Sequence, residues 1–224
     1  MSTQFLFRDR THAGQILGQR IEAAVQHRDA VVLALPRGGV PVGFEVARIL
    51  QADLDIFVVR KLGVPGHEEL ALGAIASGSV RVLNHDLIQQ LRLSSTIIEM
   101  ATAREQRELV RRESLYREGR PPIPVHRRTA ILIDDGLATG ATMLAAARAL
   151  RQQRPCRIIV AVPLAAPDAC EEFREHVDEV ICAFTPDPFY AVGAWYEDFS
   201  QTSDAEVRAL LERAARDRVA SRSA

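Results

Sequence analysis

Short apolar runs alternate along the chain with segments of helical periodicity. Five runs are continuous and rich in β-branched residues: 30–35, 54–59, 130–133, 157–162 and 179–184. Between them, apolar residues recur every three or four positions, which predicts helices over 40–50, 142–153 and 167–177. Continuously apolar strands are typical of parallel sheets that are covered on both faces. The pattern therefore predicts an α/β fold with an open, doubly wound, mostly parallel five-stranded sheet.

Two stretches fall outside this alternation. Between the second and third predicted strands, residues 62–78 are rich in Gly and Ala and are predicted as a flexible loop. Residues 81–83 are predicted as a short strand and residues 94–116 as one long charged helix. After the last strand, residues 185–202 carry most of the late aromatic residues, and a polar helix is predicted over 203–220.

This organisation predicts a single domain over 1–224. We expect its core at about 28–184 and a flexible loop with a helical insertion at about 62–124. A small C-terminal hood and its helix are expected at about 185–220.

Composition narrows the classes of function. The formal net charge of the 224 residues is -1, which argues against a dedicated nucleic-acid-binding protein. The three cysteines lack metal-ligand spacing and are predicted as reduced structural thiols: Cys156, Cys170 and Cys182. No apolar run reaches about 18 residues, and the N-terminus shows no signal-peptide pattern. The sequence thus predicts a cytoplasmic protein with neither a membrane nor a nucleic acid as its partner.

The most specific pattern follows the third predicted strand. Two adjacent carboxylates, Asp134 and Asp135, precede a turn that contains Thr139, Gly140 and Thr142, and a helix then begins. Free amides and the positive end of a helix dipole suit a phosphate group. Carboxylates suit the hydroxyls of a ribose and, through them, Mg²⁺. The spacing predicts a site for a phosphorylated sugar; an acidic pair that only caps the turn is the alternative.

Two further loops follow strands at the same predicted edge of the sheet. Arg37 and Gly38 follow the first strand, where paired glycines let amides approach a ligand and an arginine offers a fork of donors to phosphate. Arg60 and Lys61 follow the second strand, where two cations need either an anion or solvent. Ligands of open α/β sheets bind beyond the carboxyl ends of the strands. We therefore expect the three loops to converge on one crevice.

Together these motifs resemble those of type I phosphoribosyltransferases, which use 5-phosphoribosyl-1-pyrophosphate (PRPP). The segment ILIDDGLATGATM is similar to the PRPP signature and is closest to adenine-type members. LPRGGVPVG resembles the pyrophosphate loop, and RKLGVPG resembles the segment before the flexible catalytic loop. The resemblance spans about residues 30–200 and includes the order of the elements.

The resemblance implies a role for each motif. The 5-phosphate would be bound by five consecutive residues: Ala138, Thr139, Gly140, Ala141 and Thr142. Asp134 and Asp135 would hold the ribose hydroxyls and the Mg²⁺ shell. Pyrophosphate would contact Arg37 and Gly38, through a non-proline cis peptide, and the Arg60-Lys61 pair, chiefly Lys61.

The acid/base residue is not assigned by the resemblance. Hypoxanthine-type members carry an Asp at the position of Ala138, so this chain lacks that proton acceptor. Adenine- and orotate-type members use a residue of the flexible loop, where Glu68 and Glu69 lie in this chain. Either glutamate would serve as acid or base; solvated surface carboxylates are the alternative.

The residue that contacts the base is also open. In the hood, PDPFYAVG is similar to the base-binding segment of hypoxanthine-type enzymes, which implies that Phe189 stacks on the base. Tyr190, Trp195 and Tyr196 are competing candidates, and a small second core formed by these aromatics is the alternative. An adenine-like PRPP motif beside a hypoxanthine-like hood leaves the base unassigned.

The resemblance implies a Mg²⁺-dependent transfer of the 5-phosphoribosyl group of PRPP to a nitrogenous base, a purine or related heterocycle, with release of pyrophosphate. PRPP and the small-molecule base would be its partners, and the enzyme would be a homodimer. Two other hypotheses remain: a non-catalytic regulator that senses PRPP or a nucleotide on the same fold, and an α/β domain that binds another sugar phosphate.

Overall fold

Five parallel strands form the central sheet of the protein. The structure, a computed structural model, describes residues 6–24, 29–64 and 67–222. The strands are β1 Ala30–Ala34, β2 Asp53–Ile56, β3 Val59–Val64, β4 His67–Ala76, β5 Val80–Leu83, β6 Thr129–Ile133, β7 Arg157–Leu164 and β8 Glu179–Phe184. The helices are α1 Arg10–Ala24, α2 Gly39–Leu50, α3 His85–Gln90, α4 Ser95–Arg117, α5 Ala141–Gln152, α6 Pro167–Phe173 and α7 Asp204–Arg222. The sheet order is β2-β1-β6-β7-β8, and each neighbouring pair is parallel, so the predicted fold is confirmed.

Helices cover both faces of this sheet. Val32 and Ile131 point to one face, where they pack in a cluster with residues of α1, α2 and α7. Val31 and Leu132 point to the other face and pack with residues of α5 and α6. Because each of these side chains is fully buried, each contributes about 1.5–3 kcal/mol of hydrophobic stabilisation. Burial on both faces is the reason that the strands are apolar throughout.

The region predicted as a flexible loop forms a second sheet, which corrects that prediction. Strands β3, β4 and β5 are antiparallel in the order β3-β4-β5, and Leu62, Leu72 and Ile75 are buried. The predicted second strand at 54–59 is divided, because β2 ends at Ile56 and β3 begins three residues later. Small residues here serve close packing: a Cβ on Gly73 would lie 2.2 Å from the carbonyl oxygen of Val82.

Helix α4 agrees with the predicted charged helix and is fixed to the sheet at its C-terminal end. Ser94 caps its start, with its hydroxyl accepting from the amide of Ile97 at 3.4 Å. At the other end the guanidinium of Arg117 pairs with the carboxylate of Asp55 at 3.0 Å, and both side chains are about nine-tenths buried. An ion pair at this depth fixes the position of α4 against β2.

Two of the three cysteines are joined in the structure. Cys170 of α6 and Cys182 of β8 form a disulfide, so the prediction of three reduced thiols is wrong for this pair. The packing of α6 against β8 brings them together across a separation of 12 residues that carries no recognisable spacing motif.

Within the described ranges, no helix has both the length and the apolar character needed to cross a membrane.

Candidate active site

The loop between β6 and α5 is held open toward solvent by backbone hydrogen bonds at its base. The amide of Leu137 donates to Leu164 at 2.9 Å, and the amide of Ala166 donates back to Leu137 at 3.0 Å. Of the five residues expected to bind the 5-phosphate, the four other than Gly140 are exposed: Ala138, Thr139, Ala141 and Thr142. Helix α5 begins after Gly140 without a side-chain cap. Amides of the first helical turn and two hydroxyls therefore face solvent together, as an anion site requires.

Gly140 is required at its position by both conformation and space. Its φ is +68°, in the left-handed region that favours glycine. A Cβ at this residue would lie 2.4 Å from the ring of Phe173, which α6 packs against the loop. The shape of the loop thus depends on the packing of α6 as well as on its own sequence.

The acidic pair lies at the carboxyl end of β6. The amide of Asp135 donates to a carboxylate oxygen of Asp134 at 2.9 Å. Burial, and then the neighbouring charge of Asp135, raise the pKa of Asp134 well above its ordinary value. The carboxylate of Asp135 accepts from Nε of Arg10 at 2.8 Å. Two carboxylates this close need a nearby cation, and Arg10 provides one.

Arg10 belongs to the site although no sequence pattern predicted it. It is the first residue of α1, about 125 positions before its partner, and no motif surrounds it. The packing of α1 against α2, β7 and β8 brings its guanidinium to the acidic pair. No local signal could have identified it.

The loop between β1 and α2 lies beside the same carboxylates. The amide of Leu35 donates to the carbonyl of Ile133 at 2.8 Å, so the ends of β1 and β6 are adjacent. A Cβ on Gly38 would lie 2.0 Å from an oxygen of Asp135. The Pro36–Arg37 peptide bond is cis, at the loop where the resemblance implies one. The guanidinium of Arg37 points toward α7, 3.7 Å from Asp204.

The Arg60-Lys61 motif lies in β3 rather than in a loop after a core strand, which corrects its predicted position. Both residues line a cavity of about 670 Å³ between β3, α4 and the start of α5. Thr142 also lines this cavity, so the Arg60-Lys61 motif lies beside the acidic loop, defined as residues 134–142 and thus including the start of α5. The carboxylate of Glu105 in α4 pairs with Arg60 at 2.6 Å.

The cavity has a cationic wall that the sequence did not predict. Arg104 and Arg107 of α4 line it with Arg60 and Lys61, against the one carboxylate of Glu105. Among the side chains that the structure describes, this gives a net charge of +3. The predicted long charged helix thus contributes one side of a cavity whose described side chains carry a net positive charge.

The residues predicted to act on the base, as acid or base or by stacking, lie in β4 and in the hood. Glu68 and Glu69 belong to β4, and their side chains lie outside the described residues. Phe189 packs against a small cluster formed by Phe7, Leu164 and Tyr196. This packing corresponds to the second-core alternative, and stacking of Phe189 on a base stays a prediction.

The hood is attached directly to the acidic loop. The hydroxyl of Tyr196 donates to the carbonyl of Asp135 at 2.6 Å, and burial raises the pKa of this tyrosine well above its ordinary value. A Cβ on Gly136 would lie 2.5 Å from the side chain of Val192. The hood therefore covers the acidic loop at close range.

Comparisons with known proteins agree with this geometry. Residues 10–193 match the family model described as "Phosphoribosyl transferase domain". The chain is 48% identical over 212 residues to "Putative phosphoribosyl transferase" proteins of two Mycobacterium tuberculosis strains, CDC 1551 and H37Rv. The match covers 95% of this chain and 48% of each relative, so the chain spans about half the length of the curated relatives it matches.

Solved structures show the same fold. The crystal structure of TT1426 from Thermus thermophilus superposes with a TM-score of 0.83 at 41% identity, over 92% of this chain and 98% of that one. A Neisseria gonorrhoeae hypothetical protein with bound ppGpp superposes with a TM-score of 0.51 at 13% identity, over 94% and 96% of the two chains. The second likeness shows the fold alone.

Proposed function

The chain belongs to the type I phosphoribosyltransferase family, and we propose that it transfers the 5-phosphoribosyl group of PRPP to a nitrogenous base with release of pyrophosphate. One observation carries this proposal. A carboxylate pair and an exposed, uncapped helix start lie seven residues apart at the carboxyl end of a central strand, Asp134 to Ala141. A phosphorylated ribose offers the two complementary groups, a phosphate and a pair of vicinal hydroxyls.

The proposed 5-phosphate subsite is the loop over residues 138–142. Its support is the exposure of Thr139 and Thr142 and the orientation of the first amides of α5. Backbone amides and the helix dipole favour a dianion there without any lysine or arginine.

Asp134 and Asp135 are proposed to hold the ribose hydroxyls and Mg²⁺. The part of the chain that the structure describes holds no cluster of three or more His, Cys, Asp or Glu that would bind a metal by itself. Mg²⁺ commonly takes only one or two carboxylates and completes its shell with water and substrate phosphates. The acidic pair therefore fits this metal, which would neutralise charge on the diphosphate when it is bound with PRPP.

The diphosphate is proposed to lie between the Gly38 loop and the cationic cavity. Gly38 brings its backbone to the acidic pair, and Lys61 and Thr142 share the cavity wall. Neither Lys61 nor Arg107 has an ion-pair partner among the described side chains, so both can neutralise a ligand. A net positive cavity stabilises the diphosphate more strongly as it departs, because breaking its bond to the anomeric carbon leaves the electron pair on a group that is already anionic.

These groups have separate tasks in the displacement at the anomeric carbon. The cations stabilise the leaving diphosphate, while the loop and the carboxylates hold the ribosyl group as positive charge develops on it. Water must be excluded, since it would otherwise hydrolyse PRPP. The hood over Asp135 and the hairpin of β3 and β4 beside the cavity are the two elements proposed to do so.

The acceptor is proposed to be a purine or related heterocycle, bound beneath the hood. Ala138 offers no proton acceptor, so we assign that role to Glu68 or Glu69 of β4. Phe189 is the proposed stacking residue, which requires the hood to open from the packing described above. Assembly as a homodimer and a cytoplasmic location stay predictions of the same proposal.

A regulator that binds PRPP without turning it over is the second candidate. It is favoured by the packing of Phe189 in the small aromatic cluster, which leaves its ring against protein rather than against a base. Incubation with PRPP, Mg²⁺ and a panel of bases separates the two candidates. Release of pyrophosphate that depends on one base supports the transferase; tight binding of PRPP without release under every base supports the regulator.

A further inference from the structure

Arg10 is held in the proposed site by three separate contacts. Its Nε donates to the carboxylate of Asp135 at 2.8 Å, and one terminal nitrogen donates to the carbonyl of Ser200 at 2.6 Å. The central carbon of its guanidinium lies 3.9 Å from the ring centre of Phe199. The side chains of Arg10 and Asp135 are 12% and 16% exposed, so this pair is weakly screened by solvent.

Arg10 lies beside the acidic pair, whereas Arg37, the arginine of the loop between β1 and α2, does not. Arg37 points away to Asp204 at 3.7 Å, and those two side chains are 34% and 45% exposed. The Nε of Arg10 lies 3.2 Å from the place that a Cβ on Gly38 would occupy. The guanidinium that borders both the acidic pair and the Gly38 loop therefore comes from α1.

The same residue links the acidic pair to the hood. Residues 6–8 pair with the hood through backbone hydrogen bonds, among them Phe7 to Trp195 at 3.1 Å and Glu197 to Phe7 at 2.9 Å. Arg10 lies two residues after this segment and contacts Phe199 and Ser200 of the hood. Asp135 is thus fixed on its backbone by Tyr196 and on its side chain by Arg10.

We propose that Arg10 is a positioning residue of the donor site, which orients the Asp135 carboxylate toward the ribose and Mg²⁺ end of PRPP and offsets its charge beside Asp134. This rests on the proposed function, since it assigns Asp135 to the donor. An arginine suits the task because its planar fork can donate to a carboxylate and a carbonyl while its face stacks on a ring. Lysine offers the charge without the fork or the stacking plane.

The test is calorimetric titration of the full chain with PRPP in the presence of Mg²⁺, for the wild type, Arg10→Gln and Arg10→Lys. Removing a residue that orients a metal-binding carboxylate typically lowers metal affinity or activity by about 10- to 100-fold, and we expect Arg10→Gln to lose Mg²⁺-dependent affinity for PRPP on that scale. Arg10→Lys should fall between the two. The matched control is Arg20→Gln on the same helix, whose guanidinium lies 5.8 Å from the Phe184 ring and away from the site, and it should bind PRPP as the wild type does.

A role through Asp135 is separated from a role in holding the hood by repeating Arg10→Gln in an Asp135→Asn background. If Arg10 acts through Asp135, the second substitution removes most of its effect; an undiminished loss would overturn the proposal in favour of a hood tether. If Asp135→Asn alone abolishes PRPP binding, the affinities of the two Arg10 variants are compared instead. Tighter binding by Arg10→Lys than by Arg10→Gln supports the proposal, and equal losses overturn it. Unchanged affinity in Arg10→Gln overturns it as well.

Failure of the proposed function gives a different result. A folded wild-type chain that does not bind PRPP with Mg²⁺ removes the donor site itself, and the assignment of Arg10 falls with it. Urea unfolding of each variant shows whether a loss of binding reflects a loss of folding. Weaker PRPP binding with an unchanged unfolding midpoint is the pattern that we expect for Arg10→Gln.

Discussion

Replacing Arg117 by methionine should strongly destabilise the protein. The guanidinium of Arg117 pairs with Asp55 at 3.0 Å and with Glu113 at 2.7 Å, and it donates to the carbonyl of Ile56 at 3.1 Å. Arg117 is 8% exposed and Asp55 is 6% exposed. Methionine fills much of the volume but leaves the carboxylate of Asp55 buried without its cation. Among the described residues, the Asp55 carboxylate would then accept hydrogen bonds from two backbone amides, those of Ile56 and Ile123.

The expected magnitude follows from that burial. Breaking a buried ion pair by removing one partner costs about 3–5 kcal/mol, because the remaining charge is uncompensated. With a urea m-value of about 2–3 kcal/mol per molar, the unfolding midpoint should fall by about 1–2.5 M. The loss should also displace α4, since Arg117 joins that helix to β2.

The assay is equilibrium urea unfolding of Arg117→Met beside a matched control, Arg216→Met. Arg216 pairs with Glu212 at 2.7 Å in an exposed i,i+4 arrangement, with side chains 66% and 56% exposed. Such a pair contributes about 0.3–0.5 kcal/mol, so the control should change stability little. A cost below about 1 kcal/mol for Arg117→Met would refute the reasoning, because an uncompensated buried charge cannot be that cheap.

Three further predictions test other parts of the structure. Gly140→Ala should weaken PRPP binding and lower the unfolding midpoint, because its Cβ would meet Phe173 at 2.4 Å and its φ is positive; calorimetry that finds wild-type affinity would contradict this. Thiol titration of the urea-unfolded chain should find one reactive group, Cys156, without reductant and three after reduction; three at the outset would contradict the disulfide. Burial, and then the hydrogen bond to Asp204, raise the pKa of Tyr116 to about 12, so its contribution to stability is complete below pH 10 and is lost as the pH rises toward 12. The stability difference between the wild type and Tyr116→Phe, measured in urea, should therefore shrink between pH 9 and pH 11.5, and a constant difference would contradict it.

The central sheet could be predicted because burial on both faces leaves a direct trace in the sequence. Ile131 and Leu132 point to opposite faces, and both must be apolar, so the strand appears as an uninterrupted run. The loop after β6 could be predicted for a related reason. Asp134 follows the run at once, and the residues proposed to bind a phosphate, Thr139, Gly140 and Thr142, lie within four positions of the chain.

Of the second sheet only β5 could be predicted, as a short strand over 81–83, because the residues of β4 have two explanations. Gly73 and its alanine neighbours indicated mobility, whereas in the structure they allow β4 and β5 to approach closely. Composition alone does not separate a flexible loop from a closely packed hairpin. The buried side chains of Leu62 and Leu72 are the distinguishing feature, and they are too few to give a clear alternating pattern.

Arg10 and the disulfide were missed because they depend on tertiary contacts. The partner of Arg10 lies about 125 positions away, and its own neighbours in sequence carry no motif. Cys170 and Cys182 meet only because α6 packs beside β8. Such pairs follow from the arrangement of helices on a sheet, which a single sequence does not specify residue by residue.

The central claim is that the segment from Asp134 to Thr142 binds the PRPP donor. The most direct test is calorimetric titration of the wild type and the double variant Asp134→Asn/Asp135→Asn with PRPP and Mg²⁺. The wild type should bind with a Kd of about 1 μM to 1 mM, the range in which enzymes commonly bind their substrates. The double variant should lose measurable binding and PRPP-dependent turnover while remaining folded. Wild-type affinity and turnover in the double variant would contradict the assignment of this site.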